Sequence, residues 1–353
     1  MSSSIGKLLT LTTFGESHGA AIGGILDGYP SGVEVDMGFL QAEMDRRRPG
    51  STRLGTARNE LDQVRILSGV FEGRTTGTPI AFMLENQSQI SKDYSDIAHL
   101  YRPGHADYCF DQKYGFRDWR GGGRSSGRET AARVFGGAMA KLYLKKQGIE
   151  INAGVIAIAG IRATGYVWDP PFPGPLYAPS CPELGAMTEA VESARRDSDS
   201  VGGIIECRVT GMVPGLGDPV FDKLDADIAK AILSIGAVKG IEFGSGFEAA
   251  GKRGSENNDP MRAEDGKVSF LSNNAGGILG GISNGNDIVF RLAVKPTSSI
   301  AREQLTVNDR LENATICVHG RHDPCIAPRA VVVAEAMTAL VLLDHFLVEK
   351  AYG

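Results

Sequence analysis

Residues 102–130 of this chain read RPGHADYCFDQKYGFRDWRGGGRSSGRET and hold one histidine, five arginines, two adjacent serines and three consecutive glycines. Arginine binds carboxylates and phosphates through two parallel hydrogen bonds, and a run of glycines lets backbone N–H groups approach a ligand. A helical pattern resumes at Arg128, which places these donors near a helix N-terminus, where anions are favoured. The segment is predicted to be an anion-binding active-site loop. A solvated, arginine-rich surface loop is the alternative.

The composition of the 353-residue chain is that of an ordinary globular protein, with 42% apolar and 22% charged residues. The formal charge of −5 argues against a nucleic-acid partner. No uninterrupted apolar run reaches the roughly 20 residues of a membrane span, and the N-terminus does not resemble a signal peptide, so no membrane association and a cytoplasmic location are expected. Five scattered cysteines without a CxxC pair argue against a disulfide framework and against structural zinc.

Hydrophobic periodicity predicts helices and strands that do not alternate regularly, which indicates an α+β sandwich of sheets and helices instead of a doubly wound sheet. The two halves repeat a strand–strand–helix pattern weakly. The predicted strands are residues 5–14, 20–27, 64–70, 79–85, 149–160, 202–211, 237–243 and 288–294, and the predicted helices are residues 37–48, 128–148, 182–197, 222–235 and 328–350.

Three short motifs match known patterns by letters only. Residues 15–19, GESHG, fit the nucleophile elbow of serine hydrolases, but the glycine-broken segment that follows does not predict the required helix. Residues 244–249 fit a dinucleotide fingerprint without a βαβ frame. Residues 246–252 fit a P-loop, except that Arg253 stands where a Ser or Thr is needed. A hydrolase with Ser17 as nucleophile is kept as a minor alternative.

The strongest candidates for catalytic residues are His18 and His105, each in a glycine-containing loop, and Asp323. Histidine transfers protons near neutral pH, so acid/base chemistry is predicted, and no cluster has metal-ligand spacing. The surrounding arginines predict a substrate with several negative charges, a phosphate and carboxylates among them: Arg47, Arg48, Arg53, Arg102, Arg124, Arg128 and Arg321. The remaining histidines are predicted to be structural: His99, His319, His322 and His345.

Seven motifs occur in one order along nearly the whole chain: GESHG, DRRRPG, RPGHADY, GGGRSSGRET, NNAGGILGGIS, VKPTSS and GRHDPC. In this the chain resembles the chorismate synthase family. The resemblance implies a lyase of the shikimate pathway that converts 5-enolpyruvylshikimate 3-phosphate to chorismate by anti-1,4 elimination of phosphate. It also implies a requirement for reduced FMN (FMNH2) without net redox change. The implied fold is a single domain over residues 1–353, a β-α-β sandwich with internal duplication, antiparallel sheets and long glycine-rich active-site loops.

The resemblance also implies residue roles. His18 would protonate the departing phosphate, His105 would face the N1 edge of the reduced flavin, and Asp323 would help proton removal near N5. Ser17 and Ser126 would support this proton network. The implied flavin contacts are Arg124, Ser125, Ser126, Gly236, Ala237, Gly280, Lys295, Pro296, Thr297, Ser298, Ser299 and Arg321, and the implied substrate contacts are Arg47, Arg53, Arg102, Arg128 and Arg321.

Two positions depart from the family pattern. Gly127 stands where alanine is usual, and Gly236 stands where asparagine is common. The glycine at position 236 puts one side-chain contact to FMN in doubt. The chain length is similar to that of the short form of the family, so no extension that houses a flavin reductase is expected. An external reductase or another source of reduced flavin is therefore expected. NADP is expected to be involved through the reduction of that flavin. The protein is also expected to be a homotetramer. An inactive flavin- or phosphate-binding relative is the second alternative.

Overall fold

The computed structural model describes residues 3–50, 54–55, 61–86, 97–320 and 322–352. Within them, two five-stranded antiparallel sheets lie on either side of a helical layer. The first has the order β1-β2-β3-β7-β4, with β1 Ser4–Ile5, β2 Thr10–Gly15, β3 Ala21–Asp27, β4 Arg65–Ile66 and β7 Ile80–Glu85. The second has the order β11-β16-β10-β8-β9, with β8 Glu150–Ile158, β9 Ile161–Arg162, β10 Gly203–Thr210, β11 Val238–Phe243 and β16 Ile288–Val294.

The other strands form two-stranded hairpins: β5 Val70–Phe71 with β6 Arg74–Thr75, β12 Met261–Glu264 with β13 Lys267–Phe270, β14 Ile278–Leu279 with β15 Ile282–Ser283, and β17 Glu303–Val307 with β18 Asn313–Cys317. The helices are α1 Met37–Arg47, α2 Asp107–Tyr114, α3 Thr130–Lys146, α4 Leu184–Arg196, α5 Leu224–Leu233, α6 Gly254–Asn257 and α7 Ala327–Tyr352. All five helices predicted from periodicity are confirmed, with ends within two residues.

The centre of the helical layer is the crossing of α3 and α7. A Cβ added to Gly137 of α3 would lie 2.4 Å from the Cα of Ala336 on α7, so the two backbones touch where no side chain fits. On one side of the layer, the Phe135 ring of α3 packs at 4.2 Å on the Phe82 ring of the first sheet. On the other side α7 packs on β8 and β10 of the second sheet. One apolar core therefore joins both sheets through these two helices.

Helix α7 is long and apolar enough on average to span a membrane, although polar residues interrupt its apolar sequence. Among the described residues it is the one helix that meets this criterion, and 83% of its most apolar window is buried inside the protein. Burial on that scale is typical of a core helix. The apolar composition of α7 is thus explained by its central position between the two sheets.

A buried carboxylate on α7 connects four elements. Glu335 accepts hydrogen bonds from Arg46 of α1 at 2.7 and 2.8 Å, from Lys141 of α3, and from the backbone N–H of Ala153 in β8 at 2.9 Å. Burial alone would raise the pKa of Glu335, but the charges of Lys141 and Arg46 outweigh it and lower that pKa to about 2. The carboxylate is therefore ionised in the folded protein and holds the helical layer against β8.

One strand was predicted over residues 5–14, and this is wrong: β1 and β2 are separate strands joined by a turn. Gly6 has a φ of +99° at this turn. The backbone N–H groups of Lys7, Leu8 and Leu9 each donate to the carboxylate of Asp344 at 2.8 Å. These N–H groups are thereby withdrawn from strand pairing by a residue more than 330 positions away along the chain.

The prediction of a continuous loop over residues 102–130 is also corrected. The segment contains α2, which ends at Gly115 in the left-handed conformation at a φ of 69°. Two 3₁₀ turns, Gly123–Ser125 and Gly127–Glu129, then lead into α3. The helical pattern at Arg128 belongs to the second of these turns and not yet to the α-helix.

Replacing Glu335 with Gln should destabilise the fold by about 3–5 kcal/mol, because Arg46 and Lys141 would lose a buried counter-ion. The free energy of unfolding in urea measures this loss. Glu349→Gln, an exposed change on the same helix, is the matched control and should leave the unfolding midpoint unchanged.

The same carboxylate predicts a pH dependence. Since the pKa of Glu335 is lower in the folded than in the unfolded chain, its stabilisation is complete above the unfolded value of 4.5 and is lost as the pH falls towards about 2. Equal unfolding midpoints for wild type and Glu335→Gln at pH 7 would contradict the role assigned to this carboxylate.

Candidate active site

A cavity of about 580 Å³ opens where the ends of α1 and α3 meet the loops after β16 and before α7. Its volume lies in the range usual for small-molecule sites. Most of the residues predicted for the site line it: His18, Arg47, Arg102, His105, Ser125, Ser126, Arg128, Gly236, Ala237, Lys295, Pro296, Thr297, Ser298, Ser299 and Asp323. Segments far apart in the sequence therefore converge on one cavity.

The other predicted residues either lie outside the described part of the chain or are absent from the described lining of this cavity. Arg53 and Arg321 lie outside the described residues. Gly280 lies in the turn between β14 and β15, and neither it nor Ser17 is among the described lining residues. Arg124 donates to the Thr13 hydroxyl at 2.7 Å and to the Gly15 carbonyl at 3.1 Å, so its guanidinium secures the end of β2.

Two of the predicted substrate arginines share one buried carboxylate. Asp62 accepts hydrogen bonds from Arg47 through Oδ2 and from Arg128 through Oδ1. Burial lowers the pKa of Arg47 to about 10, although the charge of Asp62 opposes this shift. Burial would raise the pKa of Asp62, but both guanidinium groups outweigh it and the net shift is downward. Two guanidinium charges at the cavity wall are thus compensated by only one carboxylate.

The third described substrate arginine is also bound to the protein. Arg102 donates from Nε and Nη2 to the two carboxylate oxygens of Asp107, each at 2.7 Å, and from Nη2 to the Gly121 carbonyl at 2.9 Å. This forked pair joins the start of α2 to the triple glycine. Arg102 therefore fixes the backbone of Gly121, against which His18 packs.

His18 is buried against the triple glycine. A Cβ built on Gly121 would lie 2.7 Å from Cδ2 of His18 and 3.1 Å from the hydroxyl of Ser17, and Gly121 has a φ of +79°. Both the space and the backbone conformation exclude a side chain at this position. The Ser17 hydroxyl is buried and has no hydrogen-bond partner among the described residues.

His105 is held by a serine of the loop after β16. Its Nε2 lies 2.7 Å from the hydroxyl of Ser299, which is 4% exposed. Burial, together with the positive charges of Arg102 and Lys295, lowers the pKa of His105 to about 4, although Asp107 opposes the shift. The ring is therefore neutral near pH 7, so it takes part in hydrogen bonds without carrying a charge.

Sequence analysis missed four chemically important lining residues: Lys239, His319, His322 and Arg329. His319 and His322 were predicted to be structural and instead line the cavity, whereas His99 is exposed and bonded to Asp309. The proximity of His319 and His322 to Asp323 in the sequence was a usable indication. Lys239 gave none, because it lies at an irregularity in the pairing of β11 with β16, and such bulges redirect side chains.

The cavity is electropositive. Six cationic side chains line it among the described residues: Arg47, Arg102, Arg128, Lys239, Lys295 and Arg329. Three carboxylates face them, of which Asp323 lines the cavity while Asp62 and Asp107 lie behind it. The excess of positive charge in a partly buried site favours a ligand with several negative charges.

The three alternative motifs do not fit the described structure. A strand, β3, follows Ser17 where a nucleophile elbow needs a helix. Residues 244–254 continue into a 3₁₀ turn, Gly246–Gly251, and the four-residue α6, which provide neither a Rossmann helix nor a P-loop helix. The cavity therefore has the only strong combination of acid/base and anion-binding groups in the part of the chain described.

Gly121→Ala should disrupt the site, because the added methyl group meets His18 and the backbone is left-handed there. We expect loss of most turnover, with a displaced His18 signal in a histidine-resolved NMR spectrum. Gly127→Ala is the matched control: no atom lies within 4 Å of its Cβ position and its φ is not positive. A Gly121→Ala variant with unchanged turnover and spectrum would contradict the proposed contact.

The lowered pKa of His105 predicts that its ring is neutral throughout pH 6–8 and becomes protonated only as the pH approaches about 4. The unfolded chain binds this proton near the ordinary value of 6.5, so this group stabilises the fold above 6.5 and loses that contribution as the pH falls. NMR titration of the ring, assigned with His105→Gln, measures the value. Titration near 6.5 would contradict the desolvated, cation-flanked environment.

Comparisons of the sequence and of the fold with known proteins point to one family. A family model described as chorismate synthase matches residues 9–347. The chain is 53% identical over 348 residues to the chorismate synthase of Chloroflexus aggregans, covering 98% of this chain and 96% of that one. It is 50% identical over 356 residues to the chorismate synthase of Cytophaga hutchinsonii, covering 99% of each. A crystal structure of a chorismate synthase matches with a TM-score of 0.75 and 30% identity, over 98% of this chain and 93% of the other.

Proposed function

The chain belongs to the chorismate synthase family, and from the geometry of its cavity we propose how its side chains divide the work of that reaction. The protein is a carbon–oxygen lyase of the shikimate pathway, which serves aromatic amino acid biosynthesis. It converts 5-enolpyruvylshikimate 3-phosphate to chorismate by anti-1,4 elimination of phosphate, and its family is flavin-dependent. The observation that carries the proposal is the convergence of His18, His105 and Asp323 on one electropositive cavity.

The cavity has the donors that a reduced flavin mononucleotide requires. Hydroxyl groups and an ammonium group lie together in residues 295–299, and Ser125 and Ser126 contribute two more hydroxyls to the wall. We propose that these groups, with the backbone of Gly236 and Ala237, hold reduced FMN. When bound, the reduced flavin supplies electron-transfer chemistry that leaves no net redox change.

His18 is assigned the proton donated to the departing phosphate. Its burial against Gly121 fixes the ring, and the Arg102–Asp107 pair fixes Gly121 in turn. Positioned proton transfer of this kind contributes about 10²–10⁴ in rate. Asp323 is assigned the proton that leaves the substrate ring. Ser17, whose buried hydroxyl lies beside Gly121 as His18 does, and Ser126 are assigned supporting contacts in this network.

The proposed substrate arginines act here chiefly through charge. Arg47 and Arg128 already donate to Asp62, and Arg102 to Asp107. Guanidinium groups in such pairs still raise the positive potential of a desolvated cavity, which attracts the phosphate and the two carboxylates of the substrate. Arg53 and Arg321 complete the proposed substrate contacts, and Arg321 is also proposed to contact the flavin.

His105 is proposed to lie at the flavin as a neutral hydrogen-bonding group. Its bond to Ser299 leaves the second ring nitrogen for a ligand. Because Arg102 and Lys295 already supply positive charge beside it, a charged imidazole is unfavourable until an anion binds. The negative charge of a bound flavin is thus balanced first by Arg102 and Lys295 and not by His105.

The partners follow from the same assignment. We propose that reduced FMN reaches the protein from a separate reductase that draws on NADPH, or from another source of reduced flavin. A homotetramer and a cytoplasmic location are proposed with it. Large exposed apolar side chains that a subunit contact would cover support the oligomer: Phe221, Phe247 and Leu305 are 90%, 83% and 84% exposed.

The proposal is tested anaerobically with purified protein, reduced FMN and 5-enolpyruvylshikimate 3-phosphate, by following chorismate absorbance and phosphate release together. We expect equal amounts of both products, and neither when FMN stays oxidised. His18→Ala should lower kcat by about 10²–10⁴. His99→Ala, an exposed histidine bonded to Asp309, is the matched control and should retain full activity.

Other outcomes of this experiment separate the alternatives. FMN binding without either product would indicate an inactive relative of the family. Turnover with NADPH and oxidised FMN, in the absence of any added reductase, would contradict the need for an external source. Full activity of His18→Ala would remove the assigned proton donor while leaving the reaction itself established.

A further inference from the structure

Arg329 occupies a position that the family motifs did not indicate. It is the third residue of α7, it lines the cavity, and its side chain is 21% exposed. Nη1 donates to the carboxylate of Asp323, and Nε donates to the backbone carbonyl of Arg47 at 3.2 Å. This single guanidinium therefore joins the proposed proton acceptor to the last residue of α1.

The stability of α7 does not explain an arginine at this place. A cation in the first turn of a helix interacts unfavourably with the helix dipole. The first turn of α7 contains no acidic residue that would offset this. Like-charge repulsion adds to the cost, since the charge of Arg329 contributes to the lowered pKa of Arg47. The favourable contacts of the Arg329 guanidinium are the carbonyl of Arg47 and the carboxylate of Asp323, and of these two only the carboxylate carries a charge.

The backbone around Asp323 is fixed on both sides. The hydroxyl of Thr297 donates to the Asp323 carbonyl at 2.8 Å. The N–H of Val201 donates to the carbonyl of the next residue, Pro324, also at 2.8 Å. With the main chain held, the orientation of the carboxylate depends on the side-chain torsions. The hydrogen bond from Arg329 restrains them.

We propose that Arg329 is a positioning residue that holds the Asp323 carboxylate in the orientation needed to accept the substrate proton. The inference rests on the proposed function, which assigns that proton to Asp323. Arg329 acts through Asp323 and not by binding substrate. Its loss should therefore slow turnover without weakening substrate binding in proportion.

The first measurement compares kcat and KM for 5-enolpyruvylshikimate 3-phosphate in wild type, Arg329→Ala and Arg329→Lys, with reduced FMN supplied anaerobically. We expect Arg329→Ala to lower kcat on the order of 10- to 100-fold, as is usual for a group that orients a reacting side chain, with KM changed by less than about threefold. Lys keeps the charge but loses the planar fork, so partial activity is expected. Arg208→Ala is the matched control: its guanidinium is 30% exposed and pairs with Glu206 outside the described cavity lining.

Two further readouts separate positioning from a merely structural role. Guanidinium ion at millimolar, non-denaturing concentration should restore part of the kcat of Arg329→Ala and should not affect Arg208→Ala. In an Asp323→Asn background, Arg329→Ala should cost little more, because the two residues act as a unit. Thermal unfolding of each variant with FMN identifies any that fail to fold, and Arg329→Lys then serves in place of Arg329→Ala.

The outcomes are distinct. A large rise in KM at unchanged kcat, or full additivity with Asp323→Asn, would overturn the positioning role. Unchanged kcat and KM in Arg329→Ala would overturn it as well. An inactive wild-type protein under the same conditions would instead count against the proposed function, so the two failures cannot be confused.

Discussion

The carboxylate of Glu335 is the interaction on which the arrangement of this protein depends. It lies near the middle of α7 and is bonded to α1, α3 and β8. Taking a carboxylate, a guanidinium and an ammonium out of water is costly, and only their mutual attraction and full hydrogen bonding offset that cost. Arg46 serves this network, and its neighbour Arg47 reaches the cavity wall. The place of the cavity is thus set by a polar contact inside the apolar layer.

Around the cavity, positive charge is retained and only partly compensated. Asp62 forms ion pairs with two guanidinium groups, whereas Asp107 pairs with Arg102 and Asp323 with Arg329. Lys239 and Lys295 have no carboxylate partner among the described residues. A folded chain tolerates such an excess where water still reaches part of the site. The reaction then uses it, because substrate and flavin both bring anions into that space.

Sequence patterns predicted well what is local. The helices followed from apolar periodicity, and the glycine-containing loops indicated two histidines, His18 and His105, that both line the cavity. The predictions that failed concern residues whose partners are distant in the sequence. Asp344 binds the turn that divides the strand predicted over residues 5–14. The place of Arg329 in the site is recognised only from its contacts with Asp323 and Arg47. His319 and His322 were judged singly, although the loop that carries them also carries Asp323. Periodicity cannot report a contact between residues hundreds of positions apart.

Helix α7 also fixes the distance between the cavity and the N-terminal turn. Arg329 touches the cavity at one end, and Asp344, fifteen residues further on, binds the N-terminal turn, a span of about 22 Å along the axis. The close crossing at Gly137 and Ala336 prevents the helix from sliding between them. A displacement of the N-terminal turn would therefore bear on the same helix that carries Arg329 at the cavity. Tolerance to N-terminal fusion or truncation becomes a matter of active-site geometry as much as of folding.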